Sequence, residues 1–492
     1  MPPTAETRRA DARCLTPAAP RPAAAGTGYD PRALTDALRR RCRGEVSAAP
    51  ADRAAVAFDF GNMVRRAPQV VVRPRDVADV AHAVRTAREH GTSVTARATG
   101  HSLGGQALSA GGVLLDMRSL SRVARVAPRG RWVEAEGGAV WADVVEGTLA
   151  AGHTPPVLTS NLFTTVGGTH SVGGVGTASF RHGTHADNCL ACEVVTADGD
   201  VRWCSPRRNA ELFAHVLCGL GLFGVMTRLR LRVHPARRRT WTWRLAYGSP
   251  EALVADLLAA VLAGRADRIG GRAYPVEGGR RWAYVLDLAV DGDAEAPPAG
   301  VLRGLAPRLV AGPAARAFAD AARSTERTDL RAVQTPSPCG HPWVDVFLPP
   351  AEVAAYVREQ LTSLPPPLLA HAHLLFWPVT RAVLTRPLFA VPPAPVSILT
   401  SIMPTVPRAR LPGAAAAMAA AARDGARRGG THYLYGSVPA DADAWARQFG
   451  SYWPRLQALK RRYDPDGVFH PDLLPGPEPC AAADRGAAVV KP

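Results

Sequence analysis

The rhythm of hydrophobic and polar positions changes several times along the chain. Gln69–Arg73 holds three consecutive valines, the pattern of a strand buried on both faces. Pro74–Asp76 then leads into Val77–Arg88, where apolar residues recur at 77, 80, 81, 84 and 87. That is the spacing of one helix face, and Gly91 stands where a helix C-cap is expected. Ser93–Arg97 is the next strand. Strand patterns return at Trp132–Gly137 and Met226–Val233, with helices predicted over Ala139–Ala151 and Asn209–Leu217. The basic stretch His234–Arg239 reads as a boundary.

Beyond it the texture differs. Strands are predicted at Trp241–Leu245, Trp282–Asp287, Trp343–Leu348, Ala370–Trp377 and Ser397–Met403. Helices are predicted at Pro250–Leu262, Glu352–Leu361 and Ala414–Arg427. Strands interleaved with helices and long loops indicate an antiparallel sheet covered on one side, an α+β layer. Trp445–Tyr463 reads as one helix, ended by Asp464–Gly467. Residues 1 to about 28 lack periodicity and read as a disordered tail, and Pro31–Arg43 has the length of one short helix. The stretch after Pro475 carries little structural signal. The resulting division is a tail at 1–45, a first domain at 46–240, a second at 241–445, and a C-terminal segment at 446–492.

Two glycine-rich stretches carry candidate chemistry. The first, Arg97–Gln106, reads R-A-T-G-H-S-L-G-G-Q and joins two strand-like runs. Glycines let backbone approach a ligand closely, and successive N–H groups in such a turn form an anion site suited to a pyrophosphate. Ser102 could donate to a phosphate oxygen. The second, Thr164–Gly176, has five glycines within ten residues, at 167, 168, 173, 174 and 176. Arg181-His182-Gly183 and a third glycine-rich element, Gly219–Thr227, follow. No G-x-G-x-x-G stands at a strand-to-helix turn, so a dinucleotide held in the Rossmann manner, and with it a nicotinamide enzyme, is disfavoured. GxxxxGK[ST], HExxH and G-x-S-x-G are absent from the second domain.

The chain has 492 residues, nearly half of them hydrophobic, enough for two or three domains. Its formal charge of +17 comes almost wholly from arginine, since lysine occurs only at 460 and 491. The basic residues form no run of the kind that makes a nucleic-acid arm, so no nucleic-acid partner is expected. Eight cysteines over this length make no disulfide scaffold, and Cys189-x-x-Cys192 reads as a buried strand without metal partners. Arg8-Arg9 is followed by no apolar core, and no run is long enough to span a membrane. A cytoplasmic protein without membrane partners is expected.

These glycine-rich segments, in this order, resemble the FAD-binding domain of the vanillyl-alcohol-oxidase superfamily. Within it the chain is most similar to cytokinin dehydrogenases, through His341–Pro349, Trp445–Gly450 and Tyr463–Pro465. The resemblance spans roughly residues 55–475. It implies an α+β chain with a two-part PCMH-type FAD-binding domain and an inserted antiparallel-sheet substrate domain. On that reading 46–240 and 446–492 are the two FAD parts, and 241–445 binds a cytokinin-like substrate. It further implies FAD covalently attached through His101, with Gly100, Ser102 and Gln106 on the pyrophosphate side. Thr165, Ser171, Val175, Val225 and Tyr435 match FAD-contacting positions. With no Cys between Thr154 and Asn188, a single covalent link is implied.

The chain also departs from that family. Six residues before Val166 the family carries an Asp that takes the substrate's N–H proton; here the residue is Ser160. Gly270 lies near the place of a family Glu, and His470–Leu473 replaces the family's S-P-G-Q. A hydroxyl is no equal base near neutral pH, and losing a polar partner usually means another substrate. His153, His170, His182, His185, His371 and His373 are the remaining candidate bases. Ser160 and His182 are the nominated catalytic positions. The expected activity is hydride transfer from a C–N or C–OH carbon of a small molecule to FAD, then to O2 or a quinone-type acceptor. The substrate is a cytokinin-like N6-substituted adenine or a small secondary metabolite. A flavin carrier without turnover and a salt-sensitive DNA binder are the readings from other classes.

Overall fold

Val70, Val71 and Val72 are each fully buried, and the strand they form, Val70–Arg73, lies inside a four-stranded sheet. It runs parallel to Val113–Asp116, which in turn runs parallel to Val94–Arg97. Parallel neighbours need a crossover. The helix Val77–Glu89 supplies one, capped by the Asp76 carboxylate, which accepts from the backbone N–H groups of Ala78 and Asp79. The structure is a computed structural model that describes residues 30–127, 129–323, 337–436, 441–470 and 473–474. Residues 1–29 and those beyond 474 lie outside the described residues, so the expected terminal segments there go undescribed.

The tail expected to reach residue 45 ends earlier. Asp30 caps a helix, Pro31–Arg41, whose Leu34 and Leu38 are buried with Val80 and Val84. Glu45–Ser47 then pairs antiparallel with Val70–Arg73. The buried Asp79 carboxylate accepts from the backbone N–H groups of Arg43, Gly44 and Arg75 at 2.7–2.8 Å and ties this entry to the sheet. A charge buried in this way requires such partners.

A second, five-stranded antiparallel sheet has the order Val123–Ala127, Trp132–Glu136, Val225–Arg232, Cys189–Val195, Val201–Cys204. Cys189 and Cys192 are buried free thiols within it. The third sheet has eight strands, all antiparallel. Their order is Leu309–Ala317, Arg239–Tyr247, Arg281–Gly292, Arg268–Val276, Ala372–Thr380, Val396–Pro404, Val344–Leu348 and Thr431–His432. The helices Pro250–Ala263, Pro350–Ser363 and Leu411–Arg427 share one core with one face of it, through Leu253, Tyr356 and Met418 among others. The opposite face looks into the cavity described below.

Three strands of that sheet, Arg268–Val276, Leu309–Ala317 and the two-residue Thr431–His432, lie where the hydrophobic pattern shows none. The first begins Arg-Ile-Gly-Gly-Arg, and glycines obscure its alternation. The second is exposed along its whole length, so it has no buried face to advertise. The single helix expected over Trp445–Tyr463 is two, Ala442–Phe449 and Trp453–Tyr463. Gly450, at φ 52°, breaks it. The second glycine cluster also contains a helix, Val166–Val172, capped by Thr165. After these helices the chain returns to the first sheet, where the Val94 N–H donates to the Val468 carbonyl at 2.7 Å.

Candidate active site

The strand Val94–Arg97 delivers the loop that follows into the wall of a cavity of about 1220 Å³. Drug-sized ligands occupy about 300–1,000 Å³, so this volume has room for a dinucleotide and a small substrate together. Glycine-rich backbone from Gly100, Gly137, Gly167, Gly174 and Gly224 lines one side. The uncovered face of the eight-stranded sheet lines the other, through Asp345, Ser401, Leu375, Trp377 and Leu399.

Gly100 adopts φ +72°, and a Cβ there would come within 2.3 Å of the Arg97 guanidinium. Two backbone bonds hold the loop: Phe60 N–H to the Gly100 carbonyl at 2.9 Å, and Gly61 N–H to the Ser102 carbonyl at 3.1 Å. His101 is buried, with its ring at 5.7 Å from that of Phe60 and its Nδ1 at 3.1 Å from the Thr99 hydroxyl. In the second glycine cluster, Gly174 at φ +74° leaves no space for a Cβ, which would meet Thr169 Cγ2 at 2.2 Å.

All nine expected cofactor positions line this cavity: Gly100, His101, Ser102, Gln106, Thr165, Ser171, Val175, Val225 and Tyr435. Two of them differ in detail from the expectation. The Ser102 hydroxyl donates to the Asp59 carboxylate at 2.9 Å. The Gln106 amide is spent on backbone: its oxygen accepts from Gly104 N–H at 2.8 Å, and its nitrogen donates to the Leu434 and Tyr435 carbonyls at 3.0 and 3.2 Å. These two side chains therefore hold the shape of the loop in the cavity wall. Thr165 and Ser171 likewise bond within their own helix, at Gly168 N–H and the Gly167 carbonyl.

Sequence reasoning missed two charged groups, Arg97 in this wall and Asp59 behind it. Asp59 is buried and accepts from Ser102 Oγ, from Gly105 N–H at 2.8 Å and from Asn62 N–H at 3.2 Å. Burial pushes its carboxyl up to about 6, against the pull of those hydrogen bonds and of the Arg97 charge. Arg97 is buried too, lowered to about 10 by desolvation, and its Nη1 has no hydrogen-bond partner. A buried guanidinium nitrogen without an acceptor, in the wall of a cavity beside a glycine turn, fits an anionic group such as a pyrophosphate. The signals were an acid between Phe58 and Phe60, and an Arg closing the strand before the glycines.

On the sheet wall Asp345 pairs with Ser401, Ser401 with Leu375, and Leu375 with Arg272, one row across four strands. Asp345 is 3% exposed, its Oδ1 accepts from the Ser401 hydroxyl, and its Oδ2 has no partner. Burial raises its carboxyl to about 6, opposed by the Ser401 bond. The Trp377 indole N–H, buried on the neighbouring row, is also unpartnered. A lone Asp inside the apolar run Trp343–Leu348 was the legible sign of such a group.

Of the two nominated catalytic residues, Ser160 lines the cavity. His182 does not. It ends a short helix, Ser179–His182, and its ring lies 6.1 Å from that of His234. Burial, with the His234 charge, lowers it to about 4, so it is a neutral packing histidine away from the site. His170 and His185 are buried in the core beside Trp141, and burial lowers both. His153 bonds the Ala151 carbonyl, and His371 is exposed ahead of its strand. Of the six histidines only His373 lines the cavity, as do Gly270 and His470. Burial lowers His470 to about 4. Among the described residues no group of three or more His, Cys, Asp or Glu is placed to hold a metal, and no helix is long and apolar enough to cross a membrane.

A glycine-walled cavity of dinucleotide size, built between a mixed four-stranded sheet and a large antiparallel one, fits an FAD-binding oxidoreductase of the PCMH type. Residues 68–205 match the family described as FAD binding domain. Residues 320–472 match "Cytokinin dehydrogenase 1, FAD and cytokinin binding". An uncharacterized oxidoreductase of the fasciation locus of Rhodococcoides fascians is 34% identical, over 84% of this chain and 94% of that protein. Cytokinin dehydrogenase 6 of Oryza sativa subsp. japonica is 30% identical, over 84% of this chain and 88% of its own. Among solved structures, 6-hydroxy-D-nicotine oxidase from Arthrobacter nicotinovorans has a TM-score of 0.70 at 23% identity, covering 87% of this chain and 96% of its own. Xylooligosaccharide oxidase from Myceliophthora thermophila C1 has a TM-score of 0.73 at 17% identity, covering 91% and 100%. These two show the shared fold. The chain belongs to the cytokinin dehydrogenase family of FAD-dependent oxidoreductases.

Proposed function

We propose that the chain oxidises a small molecule at a carbon bearing nitrogen, or oxygen, with FAD held covalently through His101. The observation that carries this reading is one continuous cavity with two unlike walls. One wall is glycine backbone beside the buried, unpartnered Arg97 Nη1; the other is a sheet face carrying Leu375, Trp377, Leu399 and a few polar residues, His373 and Ser401 among them. The first wall suits FAD, with Arg97 on its pyrophosphate and the Gly100 turn alongside. Bound there, FAD would supply the two-electron acceptor, to be reoxidised by O2 or a quinone-type acceptor. The second wall is apolar with few polar groups, which is how small-molecule sites are usually built. In this reading the eight-stranded sheet and its helices are the substrate domain, inserted between the two FAD parts.

The relatives named cytokinin dehydrogenases support an N6-substituted adenine as substrate. Ser160, where the family has its Asp, favours a second reading, an FAD-linked oxidase of secondary metabolism without cytokinin activity. The visible spectrum of the purified protein, before and after anaerobic addition of N6-isopentenyladenine, separates them. A yellow protein whose oxidised-flavin band bleaches is the expected result. Yellow that persists moves the substrate to the second reading. Colourless protein, even after expression with added FAD, overturns the flavoenzyme. After acid precipitation the colour should stay in the pellet, and His101→Ala should release it.

A further inference from the structure

We infer that the substrate is an N6-substituted adenine carrying an anionic group, a phosphate or a carboxylate, and that Arg272 receives that group at the outer end of the cavity. The inference rests on the amine-oxidising reading above and narrows its substrate class. The cavity wall contains five arginines, Arg97, Arg244, Arg268, Arg272 and Arg316. Arg97 belongs to the glycine side. The other four all stand on the outer four strands of the eight-stranded sheet. The inner strands contribute none, and their part of the wall is chiefly Leu375, Trp377, Leu399 and Met403. His101 belongs with the inner end. The Phe60 ring lies 5.7 Å from the His101 ring and 5.3 Å from that of Trp343, which precedes the inner strand Val344–Leu348. The sheet wall therefore runs from an apolar end beside His101 to a basic end away from it.

Two of the four outer arginines are spent on the sheet itself. Arg244 pairs with Asp287 and Arg268 with Asp291, each at 2.7 Å. Arg316 lies on the exposed edge strand. Arg272 differs from all three. Among the described residues it has no carboxylate partner, and its Nη1 reaches only the Tyr274 hydroxyl, at 3.5 Å, in a contact open to solvent. Strand alternation fixes where it points. A Cβ at Gly271 would meet Leu253 at 3.2 Å, on the helix-covered face. Gly270, Arg272 and Tyr274 take the other face, and all three line the cavity. In register Arg272 stands opposite Leu375, so the free guanidinium is one strand, about 4.8 Å, from the apolar part of the wall.

An accessible guanidinium without a counter-ion is matched in shape and charge to a carboxylate or phosphate, which it can hold through two parallel hydrogen bonds. Asp287, the acid in this part of the wall, is already neutralised by Arg244 and does not cancel it. The substrate's own geometry completes the argument. N6 and N9 lie on opposite sides of a purine. An adenine resting on Leu375 and Trp377 with its N6 substituent toward His101 therefore sends the group on N9 outward, to Arg272. A 5′-phosphate on an N9 ribose, or a carboxylate on a shorter N9 arm, supplies the charge.

Anaerobic rapid mixing of the holoenzyme with four compounds tests this: N6-isopentenyladenine, its nucleoside, the nucleoside 5′-monophosphate, and 9-carboxymethyl-N6-isopentenyladenine. The concentration giving half-maximal flavin reduction should be about 10-fold lower for the monophosphate than for the nucleoside, as expected for a hydrogen bond to a charged group. Raising salt from about 50 to about 500 mM should erode that ratio, since the site is open to solvent. In Arg272→Gln the ratio should fall to about 1–2, while Arg272→Lys, which keeps the charge, should retain about 3-fold or more. Reading a ratio within each variant separates anion recognition from a general loss of folding or flavin. A similar gain for the carboxymethyl compound assigns the site to carboxylates and phosphates alike, and a gain for the monophosphate alone assigns it to phosphates. Equal half-maximal concentrations for nucleoside and monophosphate in the native enzyme, or a preference that survives in Arg272→Gln, overturn the inference and leave the amine-oxidase reading standing. If none of the four compounds bleaches the native flavin, the reading beneath fails and this inference falls with it.

Discussion

Asp59 offers a measurement that isolates one buried group. It lies 1% exposed behind the Gly100–Gly105 loop, with donors from Ser102, Gly105 and Asn62 and the buried Arg97 charge nearby. Its carboxyl rises from the ordinary 3.8 to about 6, because desolvation outweighs the hydrogen bonds. A carboxyl raised on folding contributes stability at low pH, fully present below the unfolded value. That contribution is lost as pH climbs through the folded value. The loss therefore falls between about pH 4 and 6, and at 1.36 kcal/mol per pKa unit it amounts to about 3 kcal/mol. Asp59→Asn keeps the shape, keeps an acceptor for Gly105 N–H, and cannot ionise. Urea unfolding of both proteins at pH 4 and pH 7.5 gives the difference directly. Other titrating groups, including the buried histidines whose lowered values act in the opposite direction, cancel in the comparison. Relative to native protein, Asp59→Asn should gain about 2 kcal/mol on going from pH 4 to pH 7.5, part of the loss being already complete at pH 4. A difference equal at both pH values would refute the account of Asp59 as a raised, titrating carboxyl.

Two further perturbations probe the same wall. Arg97→Gln in a His101→Ala background should weaken FAD binding by about 10–150-fold, the worth of a hydrogen bond to a charged group, read by flavin fluorescence titration; unchanged affinity would place the pyrophosphate elsewhere. Gly174→Ala forces a left-handed backbone at φ +74° and drives a Cβ into Thr169 and His185. It should cost about 3 kcal/mol or more of stability and reduce flavin content, checked by denaturant midpoint and the ratio of visible to ultraviolet absorbance.

Much of the site was legible in the chain because loops that bind cofactors carry local signatures. The Gly100-His101-Ser102 turn and the clusters around Gly167 and Gly174 are readable since only glycine tolerates those backbone conformations or approaches. The helix Val77–Glu89 and the strand Val70–Arg73 were readable because their periodicity is set by burial of a single face or of both. The roles of Ser102 and Gln106 were not, because a polar side chain near a ligand can bond the ligand or the protein equally well. Only the positions of Asp59 and of the Leu434 and Tyr435 carbonyls decide that.

The sequence by itself determined the family and the parallel unit with its glycine turn. Each is a property of residues close together in the chain. Tertiary structure decided which candidate base faces the cavity. His182 and His373 look alike as sequence, yet one packs on His234 and the other lines the cavity. Asp345 lines the same cavity as His101 through the register of the eight-stranded sheet, although the two are 244 positions apart in the chain. Long-range strand pairing sets that register, and no local pattern encodes it.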